Sequence, residues 1–112
     1  MKTPEFDKVV NERIEAIKAT LTSKAKEYAT NTDRLHNFNR AGKISGQCRE
    51  KALWGFALKH YVSFLDILDR VDAGLLPSEE HLNEKVGDLI NYLILVEACI
   101  KDRINTDNNY PH

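Results

Sequence analysis

At 112 residues the chain has the length of one domain, enough for a real core and too little for a second one. Its composition, 42% apolar and 29% charged, is that of an ordinary soluble globular protein. A net charge of -1 gives no global pull toward nucleic acid or membrane, so neither is expected as a partner and any charge argument has to be local.

Read for periodicity, the sequence is helical almost throughout, with Pro and Gly confined to joints. The opening MKTPEFDK lacks an apolar run, so no signal peptide is expected. Thr3 before Pro4 is a cap-and-first-turn signal, and Phe6, Val9, Val10, Arg13, Ile14, Ile17 and Leu21 then repeat at helical spacing toward Tyr28. The segment NTDRLHNFNRAGKISGQ, residues 31–47, loses that period and gathers Asn, Asp and two glycines. It reads as a long ordered connection with a short turn of helix around 35–38. A second long helix runs from about 47 to 71 and breaks at DAGLLPS, where Gly74 closes it and Ser78 caps the next. The third long helix covers roughly 79–104, and NTDNNYPH at 105–112 is a polar tail. No apolar stretch is long and uninterrupted enough to span a bilayer. The expected architecture is an all-α helical bundle of three long helices plus a short one, in a single domain over 1–104. Cys48 and Cys99, far apart and without CxxC or Cys/His spacing, fit free thiols in a reducing cytoplasm better than a disulfide or a zinc site.

Two helices carry polar stripes on otherwise apolar cylinders. In NEKVGDLINYLIL, residues 83–95, Asp88 lies about 40° and Asn91 about 340° from Glu84, with Val86, Leu89, Leu93 and Ile100 on the opposite face. Two acids one turn apart repel unless a cation, a basic side chain or water sits between them. In the preceding helix Lys59, Ser63, Asp66 and Arg70 follow the same spacing, with His60 on the flank and Trp54, Leu58, Tyr61, Leu65 and Leu68 opposite. If the two helices pack antiparallel, the stripes converge into one groove of three carboxylates, a lysine and a histidine. Such oxygens suit Mg²⁺, which in turn recruits phosphate. The plainer alternative is a solvated face with ordinary ion pairs and an acidic first turn that complements the helix dipole. The connection adds Arg34 and Asn37, a guanidinium and an amide suited to phosphate, beside the rings of Tyr28, His36 and Phe38.

EKVGDLINYLIL resembles the third-helix signature of the MazG-like all-α nucleoside triphosphate pyrophosphohydrolases. Together with KAKEYATNTDRLHNF and ALWGFALKHYVSFLDIL it looks like small phage and prophage proteins related to that group, over roughly residues 24–97. The resemblance implies a helical bundle, usually dimeric, whose acidic faces bind Mg²⁺ and nucleotide phosphates and cleave a nucleoside triphosphate to monophosphate and pyrophosphate. Asp88 matches the last acid of the family pattern; Lys85 stands where a glutamate belongs, and Lys59, His60, Ser63 and Asp66 replace paired glutamates. On that basis Asp66, Glu84 and Asp88 are the expected metal ligands. Lys59 and Arg34 meet phosphate, His60 with Lys59 serves the chemistry, and Asn37, Ser63, Asn91 and Tyr92 shape the substrate pocket. The rival is a non-catalytic binding or interaction module that kept the bundle and lost the metal cage. Apolar positions on several sides of the helices lead to the expectation of a homodimer or higher homo-oligomer.

Overall fold

The computed structural model describes residues 1–28 and 35–108. These residues form four helices: α1 (Thr3–Tyr28), α2 (His36–Ser45), α3 (Arg49–Asp72) and α4 (Glu79–Asn108). No strand occurs among the described residues, so the all-α expectation holds. By its contacts the chain divides into two compact units, Met1–Arg34 and Leu35–His112.

The first unit is built on α1. Its start is closed by Lys2, whose carbonyl accepts the Glu5 and Phe6 N–H groups at 3.1 Å each. The Glu5 carboxylate reaches back to the Lys2 N–H at 3.4 Å, answering one of the orphan donors of a helix start. Phe6, Val9, Val10 and Ile14 are exposed along one side.

The second unit is a helical hairpin with a short helix set against one end. α2 replaces the expected turn with ten helical residues. The reason is tertiary: Gly42 lies so close to the start of α3 that a Cβ there would meet the Gln47 carbonyl oxygen at 2.9 Å and the Arg49 nitrogen at 3.0 Å. Packing thus overrides the weak propensity of a segment rich in Asn and Gly. Gly46 ends the helix in the left-handed conformation, φ 69°, its N–H turned back to the carbonyls of Gly42 and Lys43.

α3 and α4 run antiparallel, as Arg49 pairing with Asp102 at one end and His60 meeting Asp88 further along require. As expected, Gly74 closes the turn at φ 83°, and the Ser78 hydroxyl caps α4 by accepting the His81 N–H at 3.0 Å. α4 continues to Asn108, four residues past the expected stop, with the Thr106 hydroxyl bonded back to the Asp102 carbonyl. The core along this hairpin is thin: Ala52, Leu53, Ala57 and Ile67 from α3 and Cys99 from α4 are its buried members. The seam on α3 therefore follows Leu53, Ala57, His60, Phe64 and Ile67. The neighbouring stripe of Trp54, Leu58, Tyr61, Leu65 and Leu68 stays exposed.

Candidate functional site

The seam between α3 and α4 brings together part of the expected constellation. His60 on α3 and Asp88 on α4 meet, Nδ1 to Oδ2, at 3.3 Å. One turn further along α4, Tyr92 stacks on the His60 ring with centroids 5.1 Å apart and planes 26° from parallel. The carboxylate thus anchors the Nδ1 side of the imidazole, and the phenol ring sets the plane of the ring. Asn91 stands beside them, and its Oδ1 is buried with no hydrogen-bond partner among the described residues. A buried acceptor left unpaired costs about 1–3 kcal/mol, so this amide is out of place in a purely structural seam.

The other expected residues fall around this centre. Ser63 is half-buried one turn along α3, and Lys85 is half-buried one turn before Asp88. Lys59 and Asp66 on α3 and Glu84 on α4 are exposed. Asn37 is exposed on α2, and Arg34 lies outside the described residues. Free thiols at exposed Cys48 and buried Cys99 agree with the sequence reading. Among the described residues no helix is long and apolar enough to cross a membrane.

Whether these donors suit Mg²⁺ depends on the binding mode. Among the described residues no group of three His, Cys, Asp or Glu side chains is placed to hold a metal ion, so an all-protein cage is not formed there. Mg²⁺ more often takes one or two carboxylates together with water and substrate phosphates. Glu84 and Asp88, one turn apart on α4, have the chemistry for that second mode.

A separate polar node joins α2, α3 and α4. The Arg49 guanidinium donates to the Asn39 side-chain oxygen at 2.9 Å, to the Cys99 carbonyl at 2.8 Å and to the Asp102 carboxylate at 2.8 Å. Its neighbour Glu50 is reached by Arg49 at 3.4 Å and by Arg103 at 3.3 Å. Burial works against the charge on Arg49, but the bond to Asp102 and the contact with Glu50 outweigh it and hold the pKa above its usual value. Burial also raises the Glu50 carboxyl, and this is overcome by its own backbone N–H, Arg49 and Arg103, so the group titrates below the ordinary range. Beside this node lies an open concavity of about 480 Å³, lined by Lys43, Cys48, Glu50 and Arg103 among others. Sequence reasoning missed the node because Arg49 meets partners up to 53 residues away and belongs to no periodic stripe.

No protein-family model, curated protein or solved structure matches this chain.

Proposed function

We propose that the protein binds a nucleotide, or a related phosphate-bearing small molecule, at the α3/α4 seam, with Mg²⁺ entering alongside the phosphates. The observation that carries this reading is the unpaired, buried Oδ1 of Asn91 beside the His60, Asp88 and Tyr92 cluster. An acceptor of that kind is satisfied by an N–H or O–H donor such as a base edge or a sugar hydroxyl, and the adjoining rings offer an apolar surface to stack on. Asp88 and Glu84 would supply carboxylate oxygens to the metal, while Lys59 and Ser63 lie along α3 within the same stripe to meet phosphate. Bound Mg²⁺ neutralises phosphate charge and activates water, the chemistry by which a nucleoside triphosphate would be split to monophosphate and pyrophosphate.

The His60 to Asp88 contact also favours a second reading, a non-catalytic binding module. A carboxylate already engaged by an imidazole at 3.3 Å is less available to a metal. Thermal shift against a panel of nucleotides, with and without Mg²⁺, tests ligand binding, because a ligand that prefers the native state raises its melting temperature by mass action. Specific stabilisation that disappears in Asn91→Leu and in Asp88→Asn is the expected result; no shift with any nucleotide at millimolar concentration removes the proposal. Pyrophosphate release by the wild type but not by Glu84→Gln separates the enzyme from the binding module.

A further inference from the structure

The concavity where α2, α3 and α4 meet shares no residue with the His60, Asp88 and Tyr92 cluster. Arg49, on its wall, stands eleven residues before His60, about 16 Å along α3. Its volume of about 480 Å³ falls within the range of small-ligand sites, roughly 300–1,000 Å³. The charge of the hairpin is polarised toward it. Residues 35–51 hold Arg40, Lys43, Arg49 and Lys51 against Glu50 alone, whereas residues 69–80, at the opposite end, hold Asp69, Asp72, Glu79 and Glu80 against Arg70 alone. A field of that shape draws anions to the α2 end and keeps them from the other.

The lining cations differ in the donors they have left. Arg49 is committed on every nitrogen, Nε to Glu50, Nη1 to Asn39 and Nη2 to the Cys99 carbonyl and Asp102. Arg103, mostly exposed, gives Nη1 to Glu50 at 3.3 Å and reaches no other group among the described residues, so most of its five-donor fork is open. Lys43 is exposed and its ammonium has no partner among the described residues. The Glu50 carboxylate also lines the concavity, but Arg49 and Arg103 both counter its charge. What remains open is therefore cationic, from α2 and from α4, with the exposed amide of Gln47 beside it. His36 and Arg40, both exposed, continue the same side of α2, about 20° and 60° around the helix from Lys43.

We infer that this concavity is an anion site, separate from the α3/α4 seam, for a small molecule that carries several negative charges close together, as an oligophosphate or a polycarboxylate does. A single exposed pair gains little in water, so an ion with one charge stays free. A molecule that engages Lys43 and the open edge of Arg103 together gains from both at once, and a phosphate or carboxylate group takes the guanidinium edge with two parallel hydrogen bonds.

The test uses the full chain and a reporter already in place. Cys48 lines the concavity and is exposed while Cys99 is buried, so the rate of Cys48 alkylation by neutral iodoacetamide, read by mass spectrometry, reports occupancy. Inorganic pyrophosphate and citrate are the probes, at constant ionic strength with a chelator present. At least one of them is expected to slow alkylation, with half-protection at about 1 mM, the weak affinity of an open site. Tighter protection by pyrophosphate makes the ligand a phosphate and tighter protection by citrate makes it a carboxylate. Lys43→Ala and Arg103→Ala should each weaken protection about tenfold, the worth of one charged hydrogen bond, while Lys59→Ala, on the seam, should leave it unchanged. Since Arg103 also holds Glu50, Lys43→Glu at an exposed position without a partner tests the site free of any effect on folding. Alkylation unaffected by either probe at about 20 mM overturns the inference. Protection that survives Lys43→Glu, or that is lost in Lys59→Ala, overturns it as well.

Discussion

Replacing Arg49 with Ala measures how much of the hairpin is held by one side chain. Three hydrogen bonds from a charged donor are lost, to Asn39, the Cys99 carbonyl and Asp102. Asp102 is about half exposed, which halves the worth of its pair, so the three together amount to about 3–4 kcal/mol. Glu50, whose side chain is 12% exposed, keeps only Arg103 as a cationic partner, and that adds about 1 kcal/mol. Freeing a long side chain returns about 2 kcal/mol of conformational entropy, leaving a net loss of about 2–3 kcal/mol. Were Arg49 an ordinary surface ion pair, the loss would stay below about 1 kcal/mol. Urea denaturation followed by circular dichroism distinguishes the two, with Arg49→Lys expected midway because one ammonium cannot reach three acceptors in the same geometry. An Arg49→Ala variant within 0.5 kcal/mol of the wild type, an error on the order of such measurements, would refute the claim that this node ties α2 and α4 to the start of α3.

Two further outcomes follow from the same end of the hairpin. Because the Glu50 carboxyl is held below its ordinary value of 4.5, the stability it contributes is complete above that pH and is lost as pH falls through the folded-state value. Glu50 is faced by Cys48, which caps its helix, by Arg49 beside it and by Arg103 on α4. Glu50→Gln should therefore be less stable than the wild type at neutral pH, with the gap closing below pH 4.5 in denaturant titrations at stepped pH; a gap that stays constant would assign the stabilisation elsewhere. Gly42→Ala forces a methyl against the Gln47 carbonyl and the Arg49 backbone, which cannot swing aside as a side chain would. A loss of about 2–3 kcal/mol is expected by denaturation, against a slight gain were this an open helical position.

The three long helices were legible because apolar residues recur at helical spacing over many turns and the joints carry Gly74, Pro77 and Ser78. α2 was legible only as a short turn around 35–38; its ten-residue length goes with the close approach of Gly42 to Arg49 and the bond between Arg49 and Asn39, contacts that no local pattern records. The seam was legible only as far as its polar members. Antiparallel packing was expected to bring the stripe of Lys59, Ser63, Asp66 and Arg70, with His60 on its flank, to Glu84 and Asp88; His60 and Asp88 meet at 3.3 Å, while Lys59, Asp66, Arg70 and Glu84 stay exposed. The apolar face of α3 was expected at Trp54, Leu58, Tyr61, Leu65 and Leu68, opposite the polar stripe, yet the buried line runs one residue earlier, through Leu53, Ala57 and Ile67. Periodicity cannot choose between two adjacent stripes that are both apolar or small; the short side chains of Ala52 and Ala57 decide it, since they let α3 approach its neighbours closely.

That inversion, a polar pair in the seam and large apolar groups outside it, sets up a test of the pair's role. Partly exposed, the His60 to Asp88 contact stabilises the hairpin by about 1 kcal/mol or less, while both groups lose hydration on entering the seam. A scaffold selected for stability alone would place leucine or methionine at these positions, as α3 does with Leu53 and Ile67 on the same line. The double variant His60→Met with Asp88→Leu removes both polar groups at once and leaves neither without its partner. It should raise stability by about 1–3 kcal/mol in urea denaturation, as replacement of internal ion pairs often does. It should also abolish any nucleotide-dependent thermal shift, because the carboxylate and the imidazole are gone while the fold is intact. A double variant destabilised by more than about 1 kcal/mol would instead make the pair a structural lock specific to this seam. A stabilised variant that keeps its nucleotide response would move the ligand away from His60 and Asp88, leaving the concavity beside Lys43 and Arg103 as the place to look.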